Sequence, residues 1–291
     1  MRVPDTLIPP ALIVVGLGLL ASLGWGVGDF GGGLTSRKAP VLGVLAGSQL
    51  ASLLVAMPIY ALGSEPAMTF TDVAISILGG LFASTGLALL YRGLAEGRMG
   101  VVAPIAAVLT ATLPVAFGFL TEGAPSIVAI AGIGVAAVSV VLVSRSPDTG
   151  SGRPSGILFA LGAGTLFGLF SIAASFLDDR LLVGPLIVIR VTSVLAIAAW
   201  VLVARQPWRV PRRLWPALVA VGVIDMTATG AYLSAIAIGP LAIAAILASL
   251  YPVVTTLLAA LVLRERVTPV HAAGIAAAGL AVVLIAGASA A

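Results

Sequence analysis

The run ALIVVGLGLLASLGWGVGDFGGG, residues 11–33, is one of ten long apolar stretches that fill this chain. Its centre, Gly24-Trp25-Gly26, recurs in the second half as Leu166-Phe167-Gly168, at an offset of 142 residues (168 − 26). The recurrence predicts two halves of about five apolar segments each, with boundaries at 1–147 and 148–291.

The composition indicates that lipid is the solvent of this chain. Hydrophobic residues make up 60% of the sequence and charged residues 9%, whereas a soluble domain carries roughly 25% charged residues. The apolar runs are continuous and about 20 residues long, which is the length of a membrane-spanning helix, and they lack the alternation of barrel strands. We therefore expect an all-α integral membrane protein with ten transmembrane helices, at roughly 11–33, 40–62, 72–94, 101–121, 126–144, 155–177, 183–204, 215–237, 240–262 and 268–287.

An odd number of helices per half predicts that the second half enters the membrane from the opposite face. The polar stretch at residues 144–155 is the linker between the halves. Inverted repeats of this kind surround solute sites near the bilayer midplane in many transporters. We expect two inverted five-helix repeats around a central cavity.

The basic residues are distributed unevenly between the two predicted faces. The N-terminus and the even-to-odd loops hold Arg2 and Arg180 only. Cytoplasmic loops carry the excess of basic residues, so we expect both termini on the non-cytoplasmic side of a bacterial inner membrane. The net charge of +4 thus reflects topology, and no nucleic-acid partner is expected. The odd-to-even loops hold Arg37, Lys38, Arg92, Arg98, Arg145, Arg153, Arg205, Arg209, Arg212, Arg213, Arg264 and Arg266.

Several kinds of chemistry have no motif in this sequence. There is no cysteine, no Ser/His/Asp grouping, no metal-ligand spacing and no phosphate-binding loop. We expect no enzyme activity, no catalytic residue, no metal and no cofactor.

Three stretches resemble the drug/metabolite transporter superfamily, and most closely its EamA-type ten-helix exporters. They are GDFGGGLTSRK at 28–38, YRGLAEGRMGVVAPIAAVLTATLPV at 91–115 and LSAIAIGPLAIAAILASLYPVVTTLLAALVLRERVTP at 233–269. The resemblance implies a ten-helix inverted-repeat bundle whose cavity is lined mainly by the third, fourth, eighth and ninth helices. It also implies export of amino acids or other metabolites; some relatives move nucleotide sugars. The acid at Asp225 departs from the general pattern of the family.

Arg190 and Asp225 are the ionisable residues predicted to lie well inside helices. Measured from Arg209 in the connecting loop, their depths differ by about three residues, roughly 4.5 Å of helix, which an arginine side chain can span. Charge at this depth is costly and calls for a partner. The pair is either a substrate-binding or proton site, or a structural ion pair between two helices. Asp29, nearer the end of the first helix, is expected to be an interfacial acid beside Arg37 and Lys38, with the cavity entrance as the alternative.

Aromatic residues and prolines complete the candidate site. Trp25, Tyr91, Phe167, Tyr232 and Tyr251 are candidates for an aromatic wall around a solute, with ordinary helix packing as the alternative. A proline lies within the fourth and within the ninth predicted helix, where it frees a carbonyl and permits a kink. These residues, Pro114 and Pro252, are candidate hinges.

The predicted function is a secondary transporter that exports a small metabolite, with amino acids as candidates, by alternating access. Its partners would be the small solute and the lipid bilayer. The sequence leaves open whether protons or the solute gradient supply the energy, and how many copies assemble. Alternatives are uptake or exchange of a larger polar solute such as a nucleotide sugar, a membrane enzyme, and a passive channel.

Overall fold

The computed structural model describes residues 9–36, 38–96, 99–143, 156–262 and 268–290. These residues form eleven α-helices and one short 3-10 helix, Arg212–Leu214, with no strand among them. The α-helices are α1 Pro10–Ser36, α2 Val41–Leu62, α3 Phe70–Glu96, α4 Met99–Thr121, α5 Ile127–Val143, α6 Ile157–Ala174, α7 Val183–Val203, α8 Trp215–Ile238, α9 Leu241–Ala248, α10 Tyr251–Val262 and α11 Pro269–Ala290.

The helices have the length and surface of membrane-spanning segments. Within the described residues, six helices are long and apolar enough to cross a membrane, and four shorter apolar helical stretches accompany them. Large apolar side chains such as Leu62, Leu158 and Val203 are more than four-fifths exposed, as expected for a surface in contact with lipid tails. The prediction of an all-helical membrane protein is confirmed; ten crossings in two inverted repeats stay a prediction.

The predicted ninth helix, 240–262, is the one segment whose continuity was predicted wrongly. It is divided into α9 and α10, with Ser249 and Leu250 between them. Pro252 has no N–H group, so the carbonyl of Ala248 cannot receive the usual helical hydrogen bond. The chain instead makes a tighter turn here, in which the N–H of Val253 donates to the carbonyl of Leu250 at 2.9 Å.

Two glutamates form hydrogen bonds to the N-termini of α7 and α9. The carboxylate of Glu65 accepts hydrogen bonds of 2.7–3.1 Å from the N–H groups of residues 182–184, where α7 begins. The carboxylate of Glu122 accepts from the N–H of Leu241, the first residue of α9, at 3.0 and 3.2 Å. A helix N-terminus presents unpaired N–H groups and a partial positive charge, so a carboxylate there is stabilising.

The packing places α9 at the centre of the bundle. All eight of its residues are buried, and it contacts α1, α4, α5, α6 and α8. Around it, α1 packs extensively on α8, α3 and α4 on α6, and α5 on α11. Small residues permit the closest contacts: a Cβ on Gly24 of α1 would lie 2.6 Å from Cβ of Ala228 in α8, closer than atoms of neighbouring helices approach.

Candidate functional site

A cavity of about 100 Å³, part of it open to the outside, lies within the bundle. Its described lining comes from α1, α2, α3, α4 and α6 through α10, and α5 and α11 contribute none of it. Ligand pockets of small molecules combine apolar walls with a few placed polar groups. The residues that carry polar or aromatic groups into this cavity are Trp25, Asp29, Gln49, Ser84, Thr110, Phe167, Phe170, Ser171, Arg190, Ser193, Asp225, Thr229, Tyr232, Ser249 and Tyr251.

Arg190 is the centre of a polar network on one wall of the cavity. Its Nη1 donates to Oε1 of Gln49 at 3.0 Å, and its Nη2 donates to Oγ1 of Thr229 at 2.8 Å. Nη2 also lies 2.9 Å from Oδ2 of Asp225. The hydroxyl of Thr229 in turn donates to the backbone carbonyl of Asp225 at 2.8 Å. One guanidinium thus joins α2, α7 and α8.

The members of this network differ in how far they are accessible from the cavity. Arg190 is 3% exposed, and its Nε is inaccessible and lacks a hydrogen-bond partner among the described residues. A buried cation needs paired charge and hydrogen bonds to offset its lost hydration, and here Asp225, Gln49 and Thr229 supply both. The Asp225 side chain keeps 25% exposure. The guanidinium of Arg190 is therefore enclosed by its protein partners, whereas the carboxylate of Asp225 is also accessible from the cavity.

Asp29 lies on the cavity wall. The first helix continues to Ser36, three residues beyond its predicted end, so Asp29 is seven residues inside α1 (36 − 29). Asp225 and Tyr251 line the same cavity as Asp29, whereas Lys38 is exposed beyond the helix. This position favours the cavity entrance, the alternative given for Asp29, over an acid beside Lys38; Arg37 lies outside the described residues.

Four of the five predicted aromatic residues line the same cavity: Trp25, Phe167, Tyr232 and Tyr251. The rings of Trp25 and Tyr232 lie 5.3 Å apart in a tilted arrangement, within the range of favourable aromatic pairs. A further residue, Phe170, stacks on Tyr232 at 6.4 Å.

Tyr232 combines complete burial with a free polar group. It is 1% exposed, and its hydroxyl makes no hydrogen bond of normal geometry among the described residues. Ser171 lies beside it but donates its own proton to the carbonyl of Phe167 at 3.1 Å. The side chain of Tyr91 lies outside the described residues.

The two candidate hinge prolines occupy different local structures. Pro252 is the second residue of α10, directly after the interruption that follows α9. Pro114 is fully buried within α4, which runs without interruption through it. Of the two, only Pro252 lies at a break in the helix, and a hinge role for either proline stays a prediction.

Sequence reasoning missed several residues of the site, above all Gln49, Thr229 and Phe170. Gln49 did carry a signal, because an amide is unusual in an apolar segment and calls for a hydrogen-bond partner inside the membrane. Thr229 follows Asp225 by four residues and therefore shares its helix face. Phe170 had no such signal, because a phenylalanine fits lipid-facing and buried positions equally well.

No group of three or more His, Cys, Asp or Glu residues within the described ranges is arranged to hold a metal ion. The chemistry of the site is therefore that of one cation, two carboxylates, hydroxyl groups and aromatic rings. Such a set can bind and orient a solute.

Comparison with known families identifies the second half of the chain. Residues 154–287 match the model of the EamA-like transporter family. This half of the chain belongs to the EamA-like transporter family. The match confirms the resemblance to the drug/metabolite transporter superfamily, whose EamA-like members are transporters and not enzymes. The protein is thus a multi-pass membrane protein of a transporter family.

The fold of this EamA-like chain also occurs in solved structures. One, described as "Crystal structure of protein", matches with a TM-score of 0.69 at 18% sequence identity, over 94% of this chain and 97% of the other. At this identity the likeness concerns the fold alone. No curated protein sequence matches the chain significantly.

Proposed function

We propose that this protein is a secondary transporter that exports small metabolites, with amino acids as the first candidates, by alternating access. It would lie in a bacterial inner membrane with both termini on the non-cytoplasmic side. The transported solute would occupy the cavity between the two halves, 1–147 and 148–291. Energy would come from the gradient of the solute or from protons.

The pattern of helix contacts supports inverted repeats. If α1 to α5 correspond to α6, α7, α8, α9 with α10, and α11, then the contact of α1 with α8 has its counterpart in that of α6 with α3. Likewise the contact of α2 with α8 corresponds to that of α7 with α3, and α5 packs on its own counterpart α11. In these pairs, exchange of the two halves maps one contact onto the other, as expected for a pseudo-twofold axis.

The observation that carries the proposal is the cavity itself, with a charged cluster deep inside the bundle. Ionisable groups at membrane depth are costly and in transporters mark solute or ion pathways. Here Arg190 and Asp225 from the second half meet Asp29 and Gln49 from the first. A solute bound among them contacts both halves, so a rocking movement of one half against the other would change its access.

The same cluster argues against a large anionic solute. A nucleotide sugar needs several accessible cations or donors, but Arg190 is the one cation in the described lining, and both of its Nη atoms are engaged. A smaller solute with few polar groups fits better.

The direct test is counterflow in liposomes. Purified protein would be reconstituted with an excess of unlabelled solute inside, and uptake of labelled solute would be followed for a panel of amino acids, sugars and organic cations. A transporter gives transient, saturable accumulation of at least one solute, while protein-free liposomes give none. A passive channel would equilibrate without overshoot, and absence of counterflow for the whole panel would refute the proposal.

A further inference from the structure

The charges that line the cavity do not balance. Its described titratable lining consists of Asp29, Asp225, Arg190, Tyr232 and Tyr251. Arg190 forms an ion pair with Asp225, and the described residues offer no ion pair or hydrogen bond to the carboxylate of Asp29. Two acids therefore share one base, and the carboxyl group of Asp29 is the one without a partner among the described residues.

The single cation is not available to a ligand. Arg190 is 3% exposed, and its Nη atoms already serve Gln49, Thr229 and Asp225. The carboxylate of a solute would have to displace one of these partners to reach the guanidinium. The carboxylate of Asp225, by contrast, keeps 25% exposure. The charged groups of the lining that a solute can still approach are therefore the carboxylates of Asp29 and Asp225.

Aromatic rings surround the unbalanced carboxylate. Trp25 precedes Asp29 by four residues and therefore lies on the same face of α1. Tyr251, the first residue of α10, lines the same cavity as Asp29. Aromatic faces attract organic cations, by about 0.5–2 kcal/mol per contact, and they also cover the hydrocarbon part of such a solute.

An independent observation points to a missing polar partner in the same cavity, one that can be a donor. The hydroxyl of Tyr232 is buried and lacks a hydrogen-bond partner of normal geometry, and its ring packs against Trp25 at 5.3 Å. A buried polar group without a partner is rare and costly. An ammonium group presents up to three donors, more than the carboxylate of Asp29 alone requires.

We propose that the cavity recognises the protonated amine of a monovalent organic cation, with Asp29 as its counter-charge and Trp25 and Tyr251 flanking its hydrocarbon. The inference rests on the proposed transport function and names the group of the solute that is recognised. An attached carboxylate is not required for binding and is not paired by Arg190.

Four phenyl compounds of similar size separate the charge from the hydrocarbon: phenethylamine is a cation, phenylalanine a zwitterion, 3-phenylpropionate an anion and 2-phenylethanol neutral. Their dissociation constants would be measured by calorimetry on the purified full-length protein at neutral pH. We expect phenethylamine to bind at least tenfold more tightly than the neutral and the anionic compound. Asp29→Asn should remove this preference and leave the binding of 2-phenylethanol within twofold.

Two variants serve as controls. Asp178→Asn removes a half-buried acid that is not part of the cavity lining and should leave all four constants unchanged. Asp29→Glu keeps the charge and should keep the preference for the amine. Where Asp29→Asn does not fold, the selectivity of the unaltered protein and of Asp29→Glu decides.

Three outcomes overturn the cation site: equal binding of phenethylamine and 2-phenylethanol, unchanged selectivity in Asp29→Asn, or no binding of any of the four compounds. Tighter binding of phenylalanine than of phenethylamine also overturns it, since a carboxylate partner would then be present. These results would not touch the transport proposal, which fails only if no solute shows counterflow. Conversely, amine binding without counterflow would uphold the site and refute transport.

Discussion

Nη2 of Arg190 lies 2.9 Å from Oδ2 of Asp225, so an ion pair joins α7 to α8 in the interior of the bundle. The sequence predicted that these two residues lie at similar depth, and the contact is present. Because the guanidinium is 3% exposed and also binds Gln49 and Thr229, the pair stabilises the fold as well as bordering the cavity.

Removal of the negative partner should destabilise the protein strongly. Loss of one member of a buried ion pair costs about 3–5 kcal/mol, and the partial exposure of Asp225 places the expected loss at the lower end. We expect Asp225→Asn to lower the apparent Tm of the purified protein by several degrees, measured by thermal denaturation in detergent.

The matched control for this variant is Asp178→Asn, which removes an exposed ion pair with Arg180 at 2.6 Å. Exposed pairs contribute about 0–1 kcal/mol, so the Tm should change little. Hydrogen bonds from Arg180 lower the pKa of Asp178 to about 2; its contribution is therefore present at neutral pH and lost only as the pH falls toward 2. Equal Tm changes in the two variants would contradict the structural role of Asp225.

Two glycines of α1 should respond differently to the same substitution. A Cβ on Gly26 would lie 2.5 Å from Cβ of Val254 and 2.8 Å from the carbonyl oxygen of Tyr251, whereas Gly28 has nothing within 4 Å. Overpacking typically costs about 1–3 kcal/mol. Gly26→Ala should therefore lower the Tm and reduce counterflow, and Gly28→Ala should resemble the unaltered protein. A larger effect at Gly28 would show that the α1–α10 contact is described wrongly.

We expect the interruption between α9 and α10 to affect the rate of transport more than the stability of the fold. Pro252→Ala restores an N–H that can bond the carbonyl of Ala248, and so favours one continuous helix. We expect a several-fold slower counterflow with a Tm that is unchanged or raised. Pro114→Ala, in the uninterrupted α4, should change the rate less. The hinge prediction fails if Pro252→Ala transports at the normal rate.

Ser64 and Gln206 test the inversion of the repeats directly. They are equivalent by the 142-residue offset (206 − 64), and both are exposed in connections between helices. The chain contains no cysteine, so Ser64→Cys and Gln206→Cys each create a single reactive thiol. In intact cells an impermeable maleimide should label Ser64→Cys only, because the connection at Gln206 is predicted to be cytoplasmic. Labelling of both or of neither would refute the inverted arrangement.

Hydrophobic periodicity and proline positions predicted the helices well. Their ends agree within three residues, as for α1, predicted at 11–33 and found at Pro10–Ser36. For Asp29 even this difference matters: α1 ends at Ser36, so the residue is seven positions inside the helix (36 − 29), where it lines the cavity. Helix ends fray and depend on local hydrogen bonds, so a sequence pattern cannot locate a charge near an end to within one turn.

The arrangement of the helices could not be predicted with the same detail. The sequence placed Arg190 and Asp225 together because they lie on one hairpin, but Gln49 comes from a helix 141 residues away in the chain. Its contact with Arg190 depends on how α2 packs between α7 and α8. Non-local packing of this kind is not encoded in the period of a single segment.

The network around Arg190 also bears on how the chain enters the membrane during synthesis. α7 leaves the ribosome before α8, and it is the most hydropathic of the six candidate spans, while α8 is the least. An arginine costs about 2.5–3.5 kcal/mol at the centre of a helix passing through the translocon, which the apolar remainder of α7 offsets. When α8 follows, its Asp225 can pair with Arg190, which is already in the membrane. We therefore expect α7 and α8 to insert as a helical hairpin, in which α7 assists the insertion of α8.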